Sequence, residues 1–87
     1  MASYKLIFRN SVAKDLRTLP KKDVARIRRR FDLIAENPRA PGYEKLSDQD
    51  RYRARQGDYR IIYEIHDDVL LVIVVKVGNR REVYKGS

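Results

Sequence analysis

The sequence predicts an α+β fold in which two N-terminal helices pack on one face of a small, twisted, mainly antiparallel sheet, in the order β-α-α-β-β-β. Two observations carry this prediction. Apolar residues recur with helical spacing in the first half of the chain, and strand-like alternation dominates the second half. A third observation is length: 87 residues, without a repeat or an internal change of composition, predict a single domain over 1–87.

The first half of the chain predicts one strand and two helices. Residues 4–8 alternate as a strand does, and Asn10 or Ser11 is a candidate N-cap for a short first helix. Pro20 suits the first turn of a second helix, which Asn37-Pro38 ends because the residue before proline disfavours helical angles. The apolar positions that we expect to face the sheet are Val12, Leu16, Leu19, Val24, Ile27, Phe31 and Ile34.

The second half predicts a loop followed by three strands. Residues 39–49 are rich in turn formers and indicate a loop. Strands 51–56 and 59–65 flank Gly57-Asp58, which predicts a tight hairpin turn. After a turn at His66-Asp67-Asp68, residues 69–77 are apolar on both faces, as expected for a strand in the middle of a sheet.

The composition limits the classes of partner. Twenty Lys and Arg against twelve Asp and Glu give a net charge of +8 and a pI near 10.0. This balance predicts a polyanionic partner, most often nucleic acid, because neutralising phosphates releases counterions. A membrane surface is disfavoured because no predicted helix combines a large apolar face with interfacial aromatics.

Several site classes are excluded or disfavoured by the residues present. The chain has no cysteine, which excludes disulfides and thiolate metal sites. The N-terminus has no long apolar core, and the longest apolar run, 69–75, is too short for a membrane helix. We therefore expect a soluble cytoplasmic domain without a metal or a cofactor. His66, the only histidine, falls in a predicted turn, so we interpret it as a solvated loop residue.

An arginine stands at every second position of the strand 51–56, at Arg51, Arg53 and Arg55, and Arg60 follows in the next strand. Alternate side chains of a strand share one face, where like charges repel each other. The apolar side of 59–65 should face the helices, so Arg60 should face away and complete a concave cationic face that no helix covers. Charges at a sheet edge can also serve to block aggregation. Arginine, rather than lysine, favours a phosphate-binding role because its planar fork binds phosphate bidentately.

The segment VGNRREVY adds further candidates at the end of the chain. Gly78 permits a turn that would bring Arg80, Arg81 and Tyr84 to the rim of the cationic face. Two tyrosines of strand 59–65, Tyr59 and Tyr63, alternate with isoleucines and are interpreted as core residues. The basic residues of the second helix are interpreted as a solvated surface, although they could touch the polyanionic partner.

Five motifs in a fixed order carry a resemblance to a known family. They are S-V-A-K-D-L after the first strand, N-P-R after the second helix, Y-R-A-R, G-D-Y-R-I-I-Y-E-I and V-G-N-R-R-E-V-Y. Over essentially its whole length the chain resembles the RelE toxins of the RelE/ParE superfamily. The resemblance implies a RelE-like fold and the toxin component of a type II toxin–antitoxin system. It implies a ribosome-dependent, metal-independent endoribonuclease that cleaves mRNA in the ribosomal A site and inhibits translation.

The resemblance also implies partners and site residues. The partners would be a cognate RelB-like antitoxin, in a hetero-oligomer, together with the ribosome and mRNA. Carried over by motif, the implied catalytic residues are Arg53, Arg55, Arg60, Arg80 and Tyr84. The basic residues expected to assist RNA binding are Arg51, Lys76, Arg81 and Lys85.

The chemistry of RNA cleavage leaves the proton-transfer groups open. The reaction must deprotonate the ribose 2′-OH, stabilise a phosphorane and protonate the 5′-oxygen. Arginines suit the second task but stay protonated, and the best-known relatives carry lysines at the positions of Arg53 and Arg55. Tyr84 is the leading candidate for proton transfer, because neighbouring arginines can lower the pKa of a phenol. The further candidates are Lys76, Lys85 and Glu64.

Two other functions remain open from the sequence. One is a ParE-like toxin that poisons DNA gyrase by protein contact and has no nuclease activity. The other is a noncatalytic basic RNA-binding module. The joint occurrence of Arg53, Arg60, Arg80 and Tyr84 favours the endoribonuclease, since ParE-type chains usually lack that set.

Overall fold

The computed structural model describes residues 3–46 and 51–79. A single 3-10 turn, Asp67–Val69, joins the last two strands. The helices and strands, in chain order, are β1 (Lys5–Phe8), α1 (Asn10–Arg17), α2 (Lys21–Glu36), β2 (Glu44–Lys45), β3 (Arg51–Gln56), β4 (Tyr59–His66) and β5 (Leu71–Asn79).

In the described part of the chain the strands form one sheet of five, in the order β1-β5-β4-β3-β2. Every neighbouring pair is antiparallel except β1 and β5, which run parallel. A parallel pair needs a long crossover connection, and the two helices lie in the connection that follows β1. The predicted α+β fold is confirmed, and the apolar strand β5 lies inside the sheet between β1 and β4 as predicted.

The helices pack through the apolar stripe that the sequence predicts. Ile27, Phe31 and Ile34 of α2 are buried against the sheet. The helix ends at Glu36, and the amide of Asn37 donates to the Leu33 carbonyl at 3.1 Å. The predicted end at Asn37-Pro38 is therefore confirmed.

The start of α1 differs from the expected cap. Arg9, with extended backbone angles, is the N-cap residue, and its carbonyl accepts a hydrogen bond from the amide of Val12 at 2.9 Å. No side chain caps this end. The expectation that Asn10 or Ser11 caps the helix is wrong, because helical geometry already begins at Asn10.

The core lies between the helices and the inner face of the sheet. Ile61 and Tyr63 of β4 are fully buried there, which confirms Tyr63 as a core residue. The Tyr63 hydroxyl donates to the Pro38 carbonyl at 2.6 Å, so the buried phenol is satisfied. Tyr59 packs against the same core and donates to Asp23 Oδ2 at 2.9 Å.

The two hairpin turns have different backbones. Gly57 has a φ of +58° at the first central position of the β3–β4 turn, the position that favours glycine in a type II′ turn. The β4–β5 turn lies one residue later than predicted, because His66 is still paired with Leu71. Leu70 then takes a left-handed conformation with φ +49°, so β5 begins at Leu71 rather than at residue 69.

Arg39 ties the loop after α2 to the β4–β5 turn. Its two terminal nitrogens each donate to one Asp67 carboxylate oxygen at 2.8 Å, and its Nε donates to the Tyr52 hydroxyl at 3.2 Å. The Tyr4 hydroxyl donates to Asp67 as well, at 2.7 Å. These hydrogen bonds, chiefly from Arg39 and then from Tyr4, lower the pKa of Asp67 to about 2.

Two predictions about the chain near the arginines are wrong. The segment 39–49, predicted as loop, contains the short strand β2, in which Glu44 pairs with Arg53. Gly78 does not form a turn: it lies within β5 opposite Arg60, because the pairing of β5 with β4 continues as far as Asn79. None of the helices in the described part of the chain is long and apolar enough to cross a membrane.

Candidate nucleic-acid interface

The register of the sheet groups the predicted cations on the face opposite the helices. Arg55 pairs with Arg60, which in turn pairs with Gly78, and directly paired residues share one face of a sheet. In the same way Arg53 and Lys76 flank Ile62. We call this surface the arginine face. It is formed by Arg51, Arg53, Arg55, Arg60 and Lys76.

A carboxylate from β2 lies among these guanidinium groups. Arg53 Nη2 donates to Glu44 Oε2 at 2.5 Å, and Arg55 Nη2 lies 3.7 Å from Glu44 Oε1. The hydrogen bond from Arg53 lowers the pKa of Glu44, and the charges of Arg53, Arg55 and Arg60 lower it further. Glu44 is therefore an anion at neutral pH.

Arg60 is the most buried residue of the arginine face. Its exposure is 3%, although it faces away from the helices as expected. β4 lies between β3 and β5, where Arg60 is paired with Arg55 on one side and with Gly78 on the other. Ile62, two residues further along the same face, is buried as well. Arg60 therefore lies on the face opposite the helices, as predicted, and its side chain is buried there.

A second carboxylate, that of Glu64, forms ion pairs at the other end of the arginine face. Glu64 Oε2 accepts from Arg51 Nε at 3.1 Å and lies 3.5 Å from Arg9 Nη2. Burial opposes the ionisation of Glu64, but hydrogen bonds from His66 and Arg51 outweigh it and lower its pKa. Arg51, predicted to bind RNA, is thus committed to an ion pair within the protein.

His66 has a more specific position than the sequence indicates. It is the last residue of β4, half-buried, and its Nε2 lies 3.3 Å from Glu64 Oε1. The interpretation of His66 as a solvated turn residue is wrong, because β4 continues through it. Its contact with Glu64 places it at the Arg51 end of the arginine face, away from the Arg55–Arg60 pair.

Sequence reasoning missed the role of both carboxylates. A signal for Glu64 was present, since it alternates with Arg60 and Ile62 along one strand and had to share their face. Glu44 carried no such signal, because β2 has only two residues and lies in a segment rich in turn formers. A strand that short has no alternation to recognise.

Four predicted site residues lie outside the described part of the chain. They are Arg80, Arg81, Tyr84 and Lys85. Their roles in catalysis and RNA binding stay predictions, as does proton transfer by Tyr84. Lys76, the remaining candidate from the last strand, is exposed in β5 beside the arginines.

The chemistry of the described arginine face is that of an anion site. Guanidinium groups donate hydrogen bonds and never accept them, so they match phosphate oxygens. Within 3–46 and 51–79, no group of three or more metal-binding side chains comes together. Binding of an anion and stabilisation of negative charge are tasks that these guanidinium groups can perform.

Comparison with known proteins agrees with this architecture. The sequence model of the family described as "ParE toxin of type II toxin-antitoxin system, parDE" matches residues 6–84. Toxin RelE of Mycobacterium tuberculosis is 30% identical over 84 residues, covering 94% of this chain and 87% of that protein. A putative RelE-like toxin protein of Escherichia coli is 27% identical over 79 residues, covering 88% of this chain and 83% of that protein.

Solved structures give the same answer. The RelBE2 toxin–antitoxin complex of Mycobacterium tuberculosis superposes with a TM-score of 0.80 at 26% identity, covering 90% of this chain and 99% of that one. The archaeal RelE–RelB complex of Pyrococcus horikoshii gives 0.75 at 30% identity, covering 90% and 96%. With its two helices, its five-stranded sheet and this match over residues 6–84, the chain belongs to the RelE/ParE family of toxins of type II toxin–antitoxin systems.

Proposed function

We propose that this toxin is a ribosome-dependent endoribonuclease that cleaves mRNA in the ribosomal A site and so inhibits translation. The observation that carries the proposal is the grouping of Arg53, Arg55 and Arg60 on one face of the sheet. Donors held in place where negative charge grows in a transition state are usually the largest contribution to catalysis. The family resemblance in the same residues, from Y-R-A-R to G-D-Y-R, supports this reaction over simple RNA binding.

The arginines would bind the scissile phosphate and stabilise the phosphorane. Arg60 is suited to stabilisation, since its buried guanidinium acts in a low-dielectric setting where charges interact more strongly. The proton transfers need another group, because a guanidinium stays protonated. Tyr84 is our candidate, with Arg80 beside it as a further charge stabiliser. Lys76, Lys85 and Glu64 are the alternatives, of which Glu64 is already committed to Arg51.

Dependence on the ribosome follows from this division of tasks. A site made of arginines binds and polarises but does not by itself align a 2′-OH for attack. Alignment of reacting groups can be worth ~7–11 kcal/mol, and in this proposal the ribosome supplies it. The isolated protein should therefore cleave naked RNA very slowly.

An antitoxin completes the proposed system. The superposed structures from Mycobacterium tuberculosis and Pyrococcus horikoshii are toxin–antitoxin and RelE–RelB complexes. We propose that a RelB-like antitoxin holds this chain in the cytoplasm as a hetero-oligomer, with an acidic segment covering Arg53, Arg55, Arg60 and Arg80. Charge complementarity would speed this association and make its rate depend on salt.

Primer extension on translating ribosomes tests the proposal. Purified toxin is added to ribosomes stalled on a defined mRNA, and 5′ ends are mapped with and without ribosomes. We expect new ends within the A-site codon, no cuts in the free mRNA, and loss of the cuts in a variant carrying Arg60→Ala. Intact mRNA on toxin-treated ribosomes, with translation unaffected, would overturn the proposal.

Gyrase poisoning is the second candidate, and the match of the ParE sequence model to residues 6–84 favours it. The same protein preparation should be added to purified gyrase and relaxed plasmid. Inhibition of supercoiling together with intact mRNA on ribosomes would establish the second candidate. Active gyrase together with A-site cuts would exclude it.

A further inference from the structure

The contact between Glu44 and the arginine face bears on how RNA binds there. The two carboxylate oxygens of Glu44 reach two different guanidinium groups, those of Arg53 and Arg55. Phosphate would use its anionic oxygens in the same way, since both anions accept hydrogen bonds from guanidinium nitrogens. The two anions therefore need the same donors.

The three side chains of this contact differ in exposure. The Arg53 side chain is 17% exposed, whereas Glu44 is 50% exposed and Arg55 is 58% exposed. Glu44 is thus the more exposed partner of a more buried cation. A partly buried cation binds an anion strongly because little water solvates it.

The backbone pairing of β2 allows the Glu44 side chain to move away from the arginines without unfolding the sheet. β2 has two residues at the edge of the sheet, and its backbone pairs with β3 independently of the carboxylate. The amide of Leu46 also donates to the Arg51 carbonyl at 2.8 Å, just beyond the strand. A rotation of the Glu44 side chain would therefore break its contacts with both guanidinium groups while β2 stays in place.

We propose that Glu44 is an internal competitor for the RNA phosphate, so that RNA binds the arginine face only by displacing the Glu44 carboxylate. The inference rests on the proposed function, since it assigns RNA to this face. RNA would exchange one anion for another at Arg53 and gain less than it would at a vacant site. Glu44 thereby lowers the affinity for free RNA and contributes to dependence on the ribosome.

Direct binding of single-stranded RNA tests this proposal. A fluorescein-labelled ten-nucleotide RNA is titrated with toxin, and its anisotropy is measured at one fixed, low salt concentration. Glu44→Gln keeps the shape of the side chain and removes its charge. Glu36→Gln is the matched control, because it changes the net charge equally from an exposed position at the end of α2.

We expect Glu44→Gln to bind the RNA about three- to tenfold more tightly than the parent, given the strength of such ion pairs. Glu36→Gln should change the dissociation constant less than about twofold, since salt screens distant charges. In an Arg53→Gln background, Glu44→Gln should lose most of its effect, because the shorter of its two contacts with the arginines is already absent. Thermal unfolding monitors the fold of each variant.

Three results would overturn the proposal. They are equal affinities of Glu44→Gln and Glu36→Gln, weaker binding by Glu44→Gln, and no measurable RNA binding by the parent and the variant alike. Weaker binding would mean that Glu44 positions Arg53 for RNA rather than competing with it. Failure of the proposed function is distinguishable: tighter RNA binding by Glu44→Gln with no cleavage on ribosomes would uphold the competitor and reject the nuclease.

Discussion

Two surfaces of this toxin are rich in positive charge, and they differ in the burial and the ion pairing of their basic side chains. The outer positions of α2 are exposed and form no ion pair with any residue in the described ranges. On the arginine face, Arg53 and Arg51 are partly buried and bound to Glu44 and Glu64. We call the first surface the basic helix face. It is formed by Lys22, Arg26, Arg28 and Arg29.

The number of positive charges on a surface therefore does not by itself identify an anion-binding site. A long exposed side chain loses up to ~2 kcal/mol of rotamer entropy when a ligand orders it. The guanidinium groups of Arg53 and Arg60 are already packed within the sheet and lose less, so the site is preorganised. The arginine face has that property and the basic helix face does not. This fits our interpretation of the helix cations as a solvated surface.

The largest expected contrast between the two surfaces is in the rate of mRNA cleavage. Arg60→Ala should slow cleavage on ribosomes by about 10²–10³-fold, by analogy with the loss of one oxyanion donor. Arg29→Ala removes the same charge from the basic helix face and should leave the single-turnover rate unchanged. Thermal unfolding must show that both variants are folded, because Arg60 is buried. Similar rates for the two variants would remove the distinction between the surfaces.

A second contrast concerns stability. Glu64 has three basic neighbours and a side chain that is 19% exposed, whereas Glu36 is exposed on α2. Glu64→Gln should lower the free energy of unfolding by roughly 1–2 kcal/mol, because it leaves Arg51 partly buried without its anion. Glu36→Gln should stay within about 0.5 kcal/mol of the parent. Urea unfolding of both variants checks this, and equal stabilities would mean that the carboxylate does not hold the face.

A third contrast uses an arginine–carboxylate pair that lies on neither surface. The pKa of Asp67 is lowered to about 2 in the folded protein, below the ~3.9 of an unfolded chain. Its contribution to stability is therefore present above about pH 4 and is lost as the pH falls towards 2. Asp67→Asn should be less stable than the parent at pH 6, and the difference should shrink between pH 4 and 2. A constant difference across that range would show that Asp67 acts through packing rather than charge.

Most of the fold was predictable from the sequence because its elements carry strong local patterns. The stripe of Ile27, Phe31 and Ile34 is typical of a helix, and the alternation in residues 59–65 is typical of a strand. The parallel pairing of β1 with β5 was not predicted, because it joins segments more than sixty residues apart and leaves no local pattern. The strand β2 was missed because two residues cannot establish a period.

The sequence predicted which arginines share one face of the sheet, but it did not predict their burial or their ion-pair partners. Alternation correctly placed Arg53, Arg55 and Arg60 on one face. It could not show that Arg60 is buried, since burial depends on the three-dimensional surroundings of a residue, which alternation does not specify. It also gave no partner for Arg53, because Glu44 reaches this face only through the unpredicted strand β2.

The central claim is that mRNA cleavage depends on the arginine face and not on positive charge in general. The rates of cleavage by two charge-matched double variants test this claim most directly. Arg53→Gln/Arg55→Gln and Arg26→Gln/Arg29→Gln remove equal charge from the two surfaces. Both are compared with the parent in a single-turnover assay on ribosomes that hold a defined A-site codon. We predict that the first variant loses at least about 10²-fold in rate and that the second cleaves as fast as the parent once bound. Equal losses in both variants, or none in the first, would contradict the account.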